Sequence, residues 1–455
     1  MKILLVNPYI YDFTAYDLWL RPLGLLYIAS VLKKFTNSTL YWLDTLDRFQ
    51  KQANLANLPQ YKSSKRDGRG KYTRILAKKP KIYEEVPRRY ARYGIPISVV
   101  QEKIENLPEM DLILITSLMT YWVDGVRETL NILKKRYPKT KIVLGGILPS
   151  LISKDLLRAS IDVDHYLTGY GERKVLKFIT SMGSKIYAYP DLTHINNIPF
   201  PAYEFLSNKD ALPLITSRGC PYNCSYCASN ILNKKFLERS VENILQEINY
   251  LHETYKNKHF VIFDDAFLVN KKKRFFKVFS EVQKTLAVTF HTPNGLHAGE
   301  IDQKTAQVLY NSRFKNLRLS FESTSDKILS KSSNKITVKQ MQQAVLNLEA
   351  AGYKRNEIGV YLLFGYPGQT LQDIKEALDF VKDLGVTPHL SYFSPVPGTR
   401  DFKRLQESGI LSSPTNLYET NKIYFLYNKS NFSLEEIKYI KNYSSKITTE
   451  LNSRN

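Results

Sequence analysis

Short apolar runs alternate with stretches whose apolar residues recur at helical spacing. In the first half the runs at 2–6, 39–43, 112–116, 141–144 and 165–167 read as strands. The stretches 22–34 and 123–137 read as helices; in the former, Leu25, Ile28, Ala29 and Leu32 share one face. Asp44, Gly145-Gly146 and Gly169-Tyr170-Gly171-Glu172 stand at strand C-terminal ends. This alternation predicts a doubly wound, Rossmann-like parallel sheet over 1–189, with ligands held beyond its C-terminal edge. Residues 190–208 have little periodicity and many turn formers, so they read as a linker. A second alternation follows. Strands are expected at 212–217, 259–263, 288–291, 317–321, 358–364 and 389–393, and helices at 241–255, 271–286, 303–312, 338–351 and 371–384. Six strands with helical crossovers predict a partial (βα)₆ TIM barrel over 209–400, with its chemistry at the strand C-terminal ends. Residues 401–455 read as a small helical C-terminal cap.

Composition changes this picture little. The chain has 455 residues, which suggests about three domains at roughly 150 residues each. Hydrophobic residues make up 43% and charged residues 24%, enough apolar material for packed domains. Every apolar run is too short for a signal peptide or a membrane span, so no span is expected and the cytoplasm is the expected compartment.

Charge adds one feature. The formal net charge is +22, and an insertion at about 50–108 holds much of it. Within 62–93 twelve Lys and Arg (Lys62, Lys65, Arg66, Arg69, Lys71, Arg74, Lys78, Lys79, Lys81, Arg88, Arg89, Arg92) face three acids (Asp67, Glu84, Glu85). Tyr61, Tyr72, Tyr83, Tyr90 and Tyr93 are interleaved. One reading is a solvated loop; the other is a nucleic-acid-binding lobe, because cations hold phosphates and aromatic rings stack bases.

The three cysteines of the chain are Cys220, Cys224 and Cys227, directly after the first strand of the second alternation. Such clustering points to thiolate–metal chemistry. A structural zinc takes four protein ligands; no fourth cysteine exists, so a histidine such as His259 would have to complete that site. Three thiolates on an iron–sulfur cubane leave one iron open to substrate or cofactor.

The stretch Ser217-Arg218-Gly219-Cys220-Pro221-Tyr222-Asn223-Cys224-Ser225-Tyr226-Cys227-Ala228 closely resembles the cluster loop of the radical S-adenosylmethionine superfamily, including aromatic Tyr226 before the third cysteine. The resemblance covers about 210–400. It implies a [4Fe–4S] cluster on Cys220, Cys224 and Cys227, with S-adenosylmethionine on the fourth iron. It also implies cofactor contacts from Tyr226, from Asp264 and Asp265 after the second strand, from Ser320 and Glu322 ending the fourth, and from Gly365 and Pro367 after the fifth. The implied chemistry is one-electron reduction of the sulfonium, which releases methionine and a 5′-deoxyadenosyl radical. A flavodoxin- or ferredoxin-type reductant is the implied partner.

The first domain resembles the cobalamin-binding domain joined to many members of this superfamily. The resemblance rests on Asn7-Pro8, Pro22-Leu23-Gly24-Leu25, Asp44, Val143-Leu144-Gly145-Gly146 and Gly169-Tyr170-Gly171-Glu172. It implies cobalamin against Gly145, Gly146, Gly169 and Gly171, where small residues allow close approach. Thr116 and Ser117 line the same sheet edge. The D-x-H-x-x-G motif that supplies a cobalt ligand in some cobalamin proteins is absent, and no histidine precedes His165. The expected activity is methyl transfer to an unactivated carbon of an unknown substrate. The competing readings are a radical tRNA- or RNA-modifying enzyme, motivated by the basic insertion, and a cluster-bearing sensor. Against the first, the further cysteines of the superfamily's methylthiotransferases are missing here.

Overall fold

The computed structural model describes residues 1–49, 67–332 and 336–453. The chain divides into two compact units, Met1–Asp210 and Ala211–Asn455.

In the first unit, β1 (Lys2–Asn7), β2 (Thr39–Asp44), β3 (Leu112–Ile115), β4 (Lys141–Leu144) and β5 (His165–Tyr166) run parallel in the order β2-β1-β3-β4-β5. Parallel neighbours need crossovers, and helices α1 (Leu23–Phe35), α2 (Ile97–Glu105), α3 (Val123–Arg136), α4 (Lys154–Ser160) and α5 (Gly171–Ser181) supply them or follow the last strand. Ile3, Leu4, Leu5 and Val6 of β1 are fully buried, as expected for a central strand covered on both faces. In α3, Asp124 lies in the first turn and Lys134, Lys135 and Arg136 in the last, which complements the helix dipole. The strand order reverses between β1 and β3, which places the switch point of this doubly wound sheet at Asn7 and Thr116.

The insertion departs from both expectations. Residues 50–66, and with them Tyr61, Lys62, Lys65 and Arg66, lie outside the described residues. From Asp67 onward the segment is folded. Arg74–Leu76 and Ala91–Tyr93 join Ile10–Asp12 in an antiparallel three-stranded sheet. Tyr72, Tyr83, Tyr90 and Tyr93 are all buried. The Phe13, Tyr83 and Tyr90 rings pack with centroids 4.9–5.5 Å apart. These tyrosines form a small core and are not available to stack bases. Several cations are also engaged: Arg69 pairs with Asp67 and lies 4.9 Å from the Trp19 ring, and Arg92 lies 5.0 Å from the Tyr9 ring. Residues 190–208 pack on the same unit, with Tyr203 buried and Phe205 stacked on Trp42 at 5.3 Å.

In the second unit, six parallel strands follow one another: β6 (Ala211–Leu214), β7 (His259–Ile262), β8 (Thr289–His291), β9 (Arg318–Glu322), β10 (Gly359–Phe364) and β11 (Thr387–Tyr392). They form two four-stranded sheets, each with a short piece at one edge. Phe314–Lys315 pairs with β8, and Leu296–His297 pairs with β9. Helices α6 (Val241–Tyr255), α7 (Phe275–Thr285), α8 (Gln303–Asn311), α9 (Val338–Ala350) and α10 (Leu371–Asp383) lie between the strands. Phe260, Phe290 and Phe314 stack along one side of the strands against Phe275 and Phe279 of α7, which seals helix to sheet. The C-terminal stretch forms α11 (Arg400–Glu407), a short helix at Lys422–Asn428 and α12 (Leu434–Ser453). No helix among the described residues is long and apolar enough to cross a membrane.

Candidate active site

The cysteine loop is the long connection of a two-residue antiparallel ladder, Ser217–Arg218 against Leu237–Glu238. It opens at Gly219, whose φ is +85° and whose missing Cβ would meet the Lys235 carbonyl at 2.8 Å. Only glycine meets both demands. Cys220 and Cys224 are half-buried and Cys227 is exposed, and none of the three is in a disulfide.

Two acids tie down the ends of this loop. The buried Asp264 carboxylate accepts from Thr216 N at 2.7 Å, Thr216 Oγ1 at 2.6 Å and Ser217 Oγ at 2.5 Å. Asp265 accepts from Ser229 Oγ at 2.6 Å, two residues past Cys227. The Ser229 N–H in turn points at Cys227 Sγ, 3.5 Å away. Burial raises the Asp265 pKa and the adjacent Asp264 adds to it, while the Ser229 bond opposes them. The structure thus spends both carboxylates on the loop itself, beside the three cysteines.

Tyr226 projects from the loop into an apolar cluster that includes Leu363, Tyr366, Phe393 and Phe402. Its hydroxyl bonds to Glu322, and burial first, then the Glu322 charge, pushes its pKa well up. Glu322 is buried at the C-terminal end of β9, with φ at +76°. The β9–β10 register shifts between Ser320 and Glu322, a bulge that re-aims the side chain. A residue held in left-handed backbone and bonded to Tyr226 of the cysteine loop is the kind of strain found at functional sites. Ser320 sits one layer lower; its Oγ lies where a Gly295 Cβ would be. Tyr222, between the first two cysteines, stacks on His297 at 4.6 Å. Its pKa is pushed up to about 12, by burial foremost and then by Glu300 and the Cys220 and Cys224 thiols.

The turn after β10 is held from within. Buried Gln369 accepts from Gly365 N at 2.9 Å and donates to the Leu363 carbonyl at 2.9 Å. Pro367 lies inside this closed turn. Between Gly365 and Pro367, Tyr366 reaches Asp401 at 3.0 Å. Sequence reasoning gave no role to Ser225, Tyr366 and Asp401, because their pairing joins segments far apart in the chain, nor to Gln369, which bonds within its own turn.

Among the described residues no three His, Cys, Asp or Glu side chains converge to hold a single metal ion. A cubane asks for a different arrangement, with each thiolate on its own iron. Three cysteines outside any disulfide on one anchored loop fit that demand.

In the first unit a small pocket lies at the switch point, lined by Asn7, Pro8, Tyr9, Leu46, Ser117 and Trp122. The buried Ser117 Oγ has no hydrogen-bond partner there. Asn7 Nδ2 donates to Asp44 Oδ1 at 2.7 Å and stitches the ends of β1 and β2. Thr116 N donates to the Val6 carbonyl at 3.0 Å, and the Ser117 carbonyl accepts from Ile147 N at 2.7 Å. Of the four glycines expected to face a ligand, two are packed by the protein itself. A Cβ on Gly146 would meet the Ser117 carbonyl at 2.4 Å, and one on Gly171 would meet Ile28 at 2.8 Å. Gly145 and Gly169 border open space.

Comparison with known proteins agrees with both halves. The radical SAM superfamily matches residues 214–381, and the B12 binding domain matches 93–178. An uncharacterized methyltransferase of Pyrococcus horikoshii is 27% identical over 46% of this chain and 47% of its own, about half its length. The cytidylyl-2-hydroxyethylphosphonate methyltransferase of Streptomyces wedmorensis is 21% identical over 92% of this chain and 84% of its own. Among solved structures, the radical S-adenosylmethionine methyltransferase TsrM from Kitasatospora setae superposes with a TM-score of 0.63 at 14% identity, over 90% of this chain and 76% of that one. Residues 214–381 thus carry a radical SAM domain, and residues 93–178 ahead of it a B12 binding domain.

Proposed function

We propose that this protein is a cobalamin-dependent radical S-adenosylmethionine enzyme that methylates an unactivated carbon. One observation carries the reading. A single chain joins an anchored three-cysteine loop at the strand ends of a parallel barrel to a doubly wound sheet whose switch point holds a small pocket and an unpaired buried Ser117 hydroxyl. The relatives named above as methyltransferases support the reaction type.

When bound, a [4Fe–4S] cluster with S-adenosylmethionine supplies one-electron cleavage of a carbon–sulfur bond, and cobalamin supplies a methyl carrier. The chain's own residues bind and orient. Cys220, Cys224 and Cys227 would each hold one iron. Glu322 is aimed inward by its bulge and accepts hydroxyl protons, which suits a ribose diol. Tyr226, fixed by Glu322 and by the apolar cluster, walls the cysteine side. Ser320, Gly365 and Pro367 complete the rim. Asp264 and Asp265 act by shaping the loop. In the first unit Thr116, Ser117, Gly145 and Gly169 would border bound cobalamin, while Gly146 and Gly171 let the sheet edge pack closely. A flavodoxin or ferredoxin would supply the electrons, in a cytoplasm that keeps the thiols reduced.

The test is anaerobic reconstitution followed by incubation with S-adenosylmethionine and dithionite. Formation of 5′-deoxyadenosine above the level of Cys224→Ala is expected. Its absence with every reductant tried would overturn the catalytic reading and favour a sensor.

A further inference from the structure

We infer that Asp401, acting through Ser225, is a positioning residue that sets the cysteine loop in its cluster-accepting shape before any iron arrives. The inference rests on the cluster reading above.

Ser225 lies between the second and third cysteines and is bound on every side. Its hydroxyl donates to Asp401 Oδ2 at 2.6 Å, and its carbonyl accepts from Asp401 N at 3.2 Å. Its own N–H donates to the Ser332 carbonyl at 2.7 Å. The Tyr366 hydroxyl donates to the same Asp401 oxygen at 3.0 Å. Arg400, the neighbour of Asp401, holds the Asn223 carbonyl one residue before Cys224. Ser225, Tyr366 and Asp401 are all buried. A carboxylate that takes two hydroxyl donors away from water makes charge-assisted bonds, stronger than neutral ones.

The consequence is geometric. Ser225 is flanked by Cys224 and Tyr226, so fixing it through both backbone and side chain fixes the directions of its neighbours. The two-way exchange between Ser225 and Asp401 makes a closed clasp that a single bond would not. The clasp joins three separate pieces: the cysteine loop, the turn after β10, and the first turn of α11. A polar cluster that only filled the core would not need to grip the loop by its carbonyl as well as its hydroxyl. A loop held this way avoids the ordering cost that a free loop meets when it wraps a cluster.

The test uses the full chain. In the anaerobic apo-protein, alkylation of Cys224 by iodoacetamide is followed by peptide mass spectrometry. Ser225→Ala and Asp401→Ala are expected to raise the Cys224 rate roughly tenfold, the effect of losing one charge-assisted bond. Asp401→Asn, which keeps an acceptor oxygen, is expected to restore most of the protection. In reconstituted protein, the change in the electron paramagnetic resonance line shape of the reduced cluster on adding S-adenosylmethionine is expected to shrink in both alanine variants. Wild-type alkylation rates together with a wild-type spectral response in Ser225→Ala would overturn the proposal. If Asp401→Ala melts far below wild type, with all three cysteines equally reactive, Ser225→Ala and Tyr366→Phe decide, since neither alters the start of α11. A wild-type protein that takes up no iron would refute the cluster reading instead, and the apo alkylation would still report on the clasp.

Discussion

Replacing Asp264 by alanine tests the claim that its carboxylate serves the protein and not the cofactor. The side chain is buried and accepts three bonds of 2.5–2.7 Å, from Thr216 N, Thr216 Oγ1 and Ser217 Oγ. Alanine leaves three donors without this acceptor. Each buried unsatisfied donor costs about 1–3 kcal/mol, and such losses are not additive within one network. The sum is therefore bounded at roughly 3–5 kcal/mol, the upper range for one substitution. In a unit of this size that lowers the melting temperature by an amount on the order of 10 °C. Asp264→Asn keeps one acceptor oxygen and should cost about a third as much. The assay is thermal melting of the apo-protein under anaerobic conditions, with no S-adenosylmethionine present. An alanine variant that melts within about 2 °C of wild type and loses only affinity for S-adenosylmethionine would refute the reasoning, and the carboxylate would then be a ligand.

The first unit offers two further checks. Burial, then repulsion from Asp47, pushes the Asp44 pKa up to about 7. A raised carboxyl pKa gives stability that is full below the unfolded value near 4 and lost as pH rises through the folded value. Wild type should therefore lose stability relative to Asp44→Asn between about pH 4 and pH 7, measured by urea midpoints; a pH-independent difference would contradict this. Gly146→Ala should destabilise strongly, because its φ is +95° and the Ser117 carbonyl lies 2.4 Å from the new Cβ. Gly145→Ala meets nothing closer than 3.8 Å and should leave the apo-protein unchanged in melting while lowering cobalamin retention. Equal retention would remove Gly145 from the cobalamin site.

The strand–helix alternation and the cysteine spacing were legible because both are local. The expected helix at 123–137 is α3, Val123–Arg136, and the six expected barrel strands all form. The insertion was not legible. Its strands are three residues long, too short for a period to show, and one pairs with Ile10–Asp12 from the start of the chain. Its tyrosines alternate with cations in sequence, and only the fold turns the rings inward. The acids around the cysteine loop were legible as residues but not as roles. Asp264 and Asp265 stand where a cofactor contact was expected, and the fold adds bonds to Thr216, Ser217 and Ser229 that the sequence did not show. Asp401 carried no local signal, because its partner Ser225 lies 176 positions away.

The central claim is that one chain carries both a three-cysteine cluster and cobalamin. The most direct measurement is iron content and absorption of protein purified anaerobically from cobalamin-supplemented cells and reconstituted with iron and sulfide. The account predicts about four irons per chain, lost in Cys224→Ala, together with cobalamin bands that persist through gel filtration. Iron no higher than in Cys224→Ala, or no cobalamin absorption in protein that folds normally, would contradict it.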